Sequence, residues 1–525
     1  MTASSILVVI AGVALGIALA PRLSVFAGPD FREGVVSAQR PVSLDPLIGA
    51  DTETVHDVGH LLYRSLMRLD SSAFPRPDLA KSLTVSQDGL TYTAPLAAGE
   101  RWSNGNPIQA SDVLATLRFA QSSSALDTAL AGSLLGVRAT ASGPAVTFTL
   151  PSPRASFGAT LTQLPILPLG TLSRAQMAAL PSQAAVPMPT SGPYRVLSAE
   201  ATVVELQTNP FARTRPVLGH VELRVYSTFG DAASAFAKGD VDAVLATTPQ
   251  QRATLTSTAH ARAHDVATFR FVDLLFNERV GGLDDPVVRL AISNAINRQS
   301  ILGGALAGSG GLMQVNPFSE GLRWIATQNP PETSSPSAAS SALDADRWKL
   351  GPTGIRERGS QALDFTLKVA NAAPLPEVAK ELTEQLSAIG MRVRVEVVPS
   401  QSYVGADLAP HTFEMALADW DGGPDPDVSS FWRSNASPPK GFYVSRGGPD
   451  AFLDQALDTL STVPDAGGRI AAAASVSGHL LSDAPAVFLY TPSVSYVIRG
   501  PLAGAEVPSV GGGAARFDDI NAWRR

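Results

Sequence analysis

The 525-residue sequence contains no cysteine. That excludes a disulfide framework, a thiolate zinc site, a cysteine nucleophile and the acylated cysteine of a lipoprotein. Charge is sparse as well: 40 basic and 47 acidic side chains make up 17% of the chain and leave a net charge of −7. No basic stripe occurs, which argues against nucleic acid as a partner. The chain also lacks a GxSxG elbow, a P-loop and a GxGxxG turn, so neither acyl transfer nor nucleotide binding is signalled. What is present is core material. Apolar residues are 45% of the total, and at about 100–200 residues per domain the length allows about three compact units.

Beyond Ala20 no uncharged stretch is long enough to span a bilayer, which takes about 20 residues. The single apolar run, Ile6 to Ala20, is ended by Pro21 and Arg22 and has the length of a secretory signal core. Val25-Phe26-Ala27 supplies a small-x-small cleavage pattern. Residues 1–27 are therefore expected to be a signal peptide or an N-terminal anchor. The rest is expected outside the cytoplasm, periplasmic or at the cell surface, and not as a lipoprotein.

Periodicity predicts a mixed α/β chain. Leu90, Tyr92, Ala94 and Leu96 alternate as a strand, as do Val146, Phe148 and Leu150. Ser111 is placed to cap a helix reaching Phe119, with Asp112 in its first turn. A helix from Asp231 to Lys238 should stop at Gly239, and Asp285 with Pro286 should start another. The clearest unit is a βαβ crossover. Leu363, Phe365, Leu367 and Val369 alternate, Val378, Leu382, Leu386 and Ile389 follow at helical spacing, and Met391, Val393, Val395 and Val397 alternate again. Two histidine pairs at i, i+4, His56/His60 and His260/His264, lack a third ligand and read as surface or capping residues. No metal, cofactor or catalytic residue is predicted.

Several segments occur in a characteristic order. They are Leu44-Asp45-Pro46, Tyr63-Arg64-Ser65-Leu66, Pro77-Asp78-Leu79, Trp102-Ser103-Asn104-Gly105 and Ser191-Gly192-Pro193-Tyr194. Phe276-Asn277, the loop Trp420-Asp421-Gly422-Gly423-Pro424-Asp425-Pro426 and Asp483-Ala484-Pro485 complete the set. Together they resemble the family 5 extracellular solute-binding proteins, the peptide- and nickel-binding components of ABC importers. The resemblance implies a two-lobed periplasmic-binding-protein-like fold (type II, cluster C) with a subdomain inserted in the first lobe. Its expected boundaries are 31–60, 190–280 and 487–525 for the lobe I core, 61–189 for the insertion, and 281–486 for lobe II.

The implied function is capture of a peptide or similar polar solute between closing lobes and delivery to a permease and its ATPase, by a monomer without enzyme activity. An envelope regulatory or scaffold protein that kept the fold without transport is the alternative. In peptide-binding relatives a carboxylate just after the tryptophan of the 420–426 loop holds the ligand's ammonium group. Asp421 and Asp425 are the carboxylates available here, in a loop that is shorter than theirs. Trp420, Tyr403 and Trp432 are the candidate pocket walls; Trp420 is as readily explained by core packing, and for Tyr403 and Trp432 packing is the commoner role of a buried aromatic. Asp88, Trp102, Asn104 and Asp112 read as turn and cap residues.

Overall fold

The computed structural model describes residues 30–38, 42–48, 53–122, 128–172, 187–325, 334–434, 441, 443–444 and 448–525. The apolar run at 6–20 and the cleavage pattern at 25–27 lie outside them. Among the described residues no helix is long and apolar enough to cross a membrane.

Two buried cores divide the chain. One gathers Phe271–Phe276, the βαβ unit, Met415–Ala418, the helices after 450 and Ala486–Tyr490. The other gathers Phe31, Leu61, Leu62, Phe148, Leu206, Val221, Tyr496 and Trp523. A single path of hydrogen-bonded strands nevertheless runs through both. In spatial order it is Arg392–Val398, Asp364–Ala370, Met415–Asp421, Arg270–Phe276, Ala486–Arg499, Ala243–Ala246, Phe31–Val36, His220–Tyr226, Val203–Thr208 and Tyr194–Ala199.

The expected βαβ unit is present. Asp364–Ala370 and Arg392–Val398 pair in parallel around the helix Leu375–Ser387, whose Val378, Leu382 and Leu386 are buried as the spacing requires. Gly239 ends its helix at φ +83°, a left-handed conformation that glycine adopts without a Cβ clash. Asp285 Oδ1 accepts from Val287 N at 3.0 Å ahead of the helix Pro286–Ala295. One cap differs from expectation. The helix Ala110–Ser122 takes in Ser111, and Asp112 reaches back instead, accepting from Gln109 N at 2.9 Å and from Trp102 Nε1 at 3.2 Å.

The strand expected at 487–490 runs on to Arg499, through Pro492. Its first part pairs with Arg270–Phe276 and its second with Ala261–Ala267, both antiparallel. The chain thus passes between the two cores twice, side by side, at Thr268–Phe269 and at Thr491–Pro492. Thr268 N and Oγ1 both donate to Pro492 O, at 3.0 and 2.8 Å, which ties the two passages together. Pro492 needs no N–H for this, so it does not end the strand. The segment after Met313 packs over the crossing: Ser319 Oγ donates to Thr268 O at 2.7 Å and Thr491 Oγ1 to Gln314 Oε1 at 2.8 Å.

A separate four-stranded antiparallel sheet holds Thr84–Val85, Thr91–Pro95, Ala145–Thr149 and Arg138–Ser142. Arg64 anchors its base, with Asp78 Oδ1 at 2.5 Å and Glu100 Oε2 at 2.7 Å, and Arg213 closes the cluster on the same two carboxylates. That cluster explains why Tyr63-Arg64 and Pro77-Asp78 occur together in the sequence. At the far end, Arg516 is buried between Asp57 at 2.6 Å and Glu33 at 3.2 Å, pinning the C-terminal turn to the first strand and helix.

Candidate functional site

The strand Met415–Asp421 ends beside Arg270 and Phe271 of its antiparallel neighbour, where the chain passes between the cores. Gly422 N donates to Phe269 O at 3.2 Å, so the loop that follows is fixed to one of the two passages. A Cβ on Gly422 would stand 3.1 Å from the Phe271 ring, a contact that glycine avoids.

Trp420 is 7% exposed and tilts against Phe431 with ring centroids 5.5 Å apart. Asp421 is exposed, and its Oδ1 accepts from Gly423 N at 2.9 Å to turn the backbone. Asp425 faces inward. Both of its oxygens meet Arg469, at 2.8 and 2.5 Å, and its Oδ1 also accepts from Asp427 N at 2.9 Å. Asp427 accepts from Ser429 N at 3.1 Å, and burial raises its carboxyl above the usual carboxylate range. The structure thus brings Trp420, Asp421 and Asp425 together on one loop.

Tyr403 and Trp432 stand in the core below. Tyr403 is 4% exposed, and its hydroxyl donates to Lys368 O at 2.9 Å and Leu417 O at 3.1 Å, linking two strands. Trp432 is 1% exposed and packs edge-on to Phe488 at 5.7 Å. His60 Nε2 lies 2.5 Å from Asp518, and His264 sits in a strand rather than on a helix. Among the described residues no cluster of three or more His, Asp or Glu could hold a metal ion.

Chain from the other core faces this loop. Ala155 N donates to Ser461 O at 2.8 Å, and Trp324 N donates to Ser72 O at 3.2 Å. The Trp324 ring stands edge-on to Phe74 at 5.1 Å and lies 5.4 Å from the Arg469 guanidinium.

Residues 75–442 match the bacterial extracellular solute-binding proteins, family 5, and that match takes in the small antiparallel sheet, the passage at Thr268–Phe269 and the 420–426 loop. The chain belongs to this family.

Protein XP55 of Streptomyces lividans is 27% identical over 486 residues, covering 90% of this chain and 86% of that one. The dipeptide-binding protein of Lactococcus lactis subsp. cremoris is 24% identical over 469 residues, covering 81% of this chain and 82% of its own. Among solved structures, the oligopeptide-binding protein AppA of Bacillus subtilis, in complex with a nonapeptide, superposes with a TM-score of 0.65 at 21% identity. The superposition covers 94% of this chain and 99% of that one. The fold is therefore the two-lobed α/β architecture of these binding proteins. The family consists of extracytoplasmic solute-binding components of ABC importers, not enzymes.

In this family 5 binding protein, chain packed on the two cores meets at Ala155–Ser461 and at Phe74–Trp324, beside the Asp425–Arg469 pair of the 420–426 loop. Sequence reasoning missed Phe74, Tyr92, Arg154, Trp324 and Arg469 as residues of this region. Tyr92 was legible only as a strand residue and the others are single side chains outside any motif; only the tertiary fold gathers them. Of these, Arg469 alone had a legible signal, since a basic residue at the start of the helix Ala466–Asp483 opposes the macrodipole and calls for an acidic partner.

Proposed function

We propose that this solute-binding protein captures a peptide, or a polar solute of similar chemistry, between its lobes and delivers it to the permease. The observation that carries the reading is the meeting of Ala155 with Ser461 and of Phe74 with Trp324, around the loop that follows Trp420. Lobe I and lobe II contact one another there, and a solute held against that loop would be shut off from water. The names of the Lactococcus and Bacillus relatives support a peptide as the solute.

In this reading the hinge is the pair of passages at Thr268–Phe269 and Thr491–Pro492. Lobe II then starts near Arg270 and ends near Tyr490, and the insertion spans 61–189. Two adjacent strands joined by few hydrogen bonds can bend as a unit while each core stays packed. Asp421 is the carboxylate proposed to meet the ligand's ammonium group, and Trp420 lines the cleft beside it. The core contacts of Tyr403 and Trp432, and the Arg469 pairing of Asp425, support structural roles for those three. The protein is proposed to work as a monomer, exported or anchored by the segment at 1–27.

A mixed di- to pentapeptide pool tests the reading. At saturating concentration, ligand linkage should raise the melting temperature by about 5 °C or more. No shift with peptides, together with a shift on adding a sugar or a metal chelate, would contradict the peptide assignment.

A further inference from the structure

The insertion carries a cation into the space between the lobes. Arg154 lies on the turn between the strand Ala145–Thr149 and the short helix Phe157–Thr160. Its carbonyl accepts from Tyr92 Oη at 2.9 Å, and its guanidinium carbon stands 5.6 Å from the Phe157 ring centroid. The next residue, Ala155, is hydrogen-bonded to Ser461 of lobe II. The turn is thus held from both sides, and its position depends on the lobes being together.

Nε and Nη2 of Arg154 are closed off from solvent, and neither meets an acceptor among the described residues. The titratable groups near enough to act on its charge are Tyr92, Asp427 and Asp425. Asp425 is already engaged by Arg469, and Asp427 is held by the backbone of Ser429. The indole nitrogen of Trp324 is a further shielded donor without an acceptor among the described residues, and its ring lies against Arg469. Shielded donors without acceptors are costly, a guanidinium most of all. Opening the lobes would return Arg154 to water. In the closed form, an acceptor on the solute would serve the same purpose.

We propose that Arg154 receives a carboxylate of the bound solute, so that the insertion reads the ligand's negative end. A carboxylate matches the planar donor fork of arginine through two parallel hydrogen bonds. The proposal rests on the peptide reading above and adds the chemistry of a second contact, supplied from the opposite lobe. Closure then depends on the ligand: without a carboxylate, bringing the lobes together strands a guanidinium.

The test compares a di- to pentapeptide library free of Asp and Glu with the same library amidated at its C-termini, and with amidated peptides carrying one Asp or Glu. Half-saturating concentrations are read by thermal shift for the wild type, Arg154→Gln and Arg154→Lys. The wild type should prefer a carboxylate-bearing set over the carboxylate-free amides by about tenfold or more. Arg154→Gln should lose that preference and bind the amides more tightly than the wild type, because no guanidinium is stranded on closure, and Arg154→Lys should keep part of the preference. Preference for free acids identifies the C-terminus as the source, and preference for the Asp/Glu amides identifies a side chain. Equal binding of all sets by the wild type, or a preference that survives in Arg154→Gln, would overturn the assignment to Arg154 and leave peptide binding standing. Failure of the wild type to bind any set would overturn the peptide reading itself.

Discussion

Asp425 and Arg469 meet fork to fork, Nη1 to Oδ2 at 2.8 Å and Nη2 to Oδ1 at 2.5 Å, with side chains only 11% and 7% exposed. The pair joins the loop after Trp420 to the helix Ala466–Asp483, and Trp324, which also meets Phe74, packs on the guanidinium. It is the rigid floor on which the loop rests. Removing one partner of such a pair leaves the other charge buried. Asp425→Asn should therefore lower unfolding stability by about 3 kcal/mol, read by urea denaturation. A loss no greater than that of an exposed pair would show that the loop does not depend on it.

Asp421 sits four residues earlier in the same loop and is exposed, with one oxygen used in its turn. If it meets the ligand's ammonium group, Asp421→Ala should weaken binding of peptides with a free N-terminus by about tenfold or more. N-acetylated peptides should bind the variant and the wild type alike. Unchanged affinity for free N-termini would remove Asp421 from the site.

Gly321 lies against the passage at Thr268, the proposed hinge, where a Cβ would come 2.4 Å from the carbonyl oxygen of Thr268. Backbone cannot yield as a flexible side chain can. Gly321→Ala should cost about 1–3 kcal/mol and also weaken peptide binding, because the strain falls where the lobes must bend. Wild-type stability in this variant would show that the segment after Met313 is not held to the crossing.

Asp45 is buried beside Tyr63, and burial raises its carboxyl from 3.8 to about 6 despite the hydrogen bond from Leu47 N. A raised acid favours its protonated form in the folded state. Its stabilising contribution is therefore complete below the unfolded value and is lost as pH rises through the folded one. Wild-type stability should fall relative to Asp45→Asn between about pH 4 and pH 6, by at most about 3 kcal/mol. Glu33, raised to about 7 by burial, adds a loss of the same sign over a higher window. Parallel stability curves for the two proteins, measured by urea unfolding across that range, would contradict this.

Local signals in the sequence carried the fold a long way. The alternation at 363–369 and 391–397 and the helical spacing at 378–389 are direct imprints of burial on one face, and the structure places them as a parallel βαβ unit. Asp285 and Gly239 were legible because a cap or a left-handed turn depends on one residue and its neighbours. Ser111 was misread as a cap because the helix already begins at Ala110, where Asp112 reaches back to Gln109 N and is held by the tertiary contacts with Trp102 and Gly170. The extension of the last strand through Pro492 was hidden because proline normally ends a strand, and here its carbonyl alone is needed. The facing surfaces were the least legible part. Ala155 and Ser461 lie far apart in the chain, and nothing around Arg154 marks the contact between them.

The central claim is that this binding protein closes on a peptide. Native mass spectrometry of the full-length protein purified from its own host tests it most directly. The account predicts a mass excess that tandem fragmentation resolves into one or more short peptides carrying a free carboxylate. A mass excess made up instead of a metal chelate, a sugar or a lipid headgroup would contradict it.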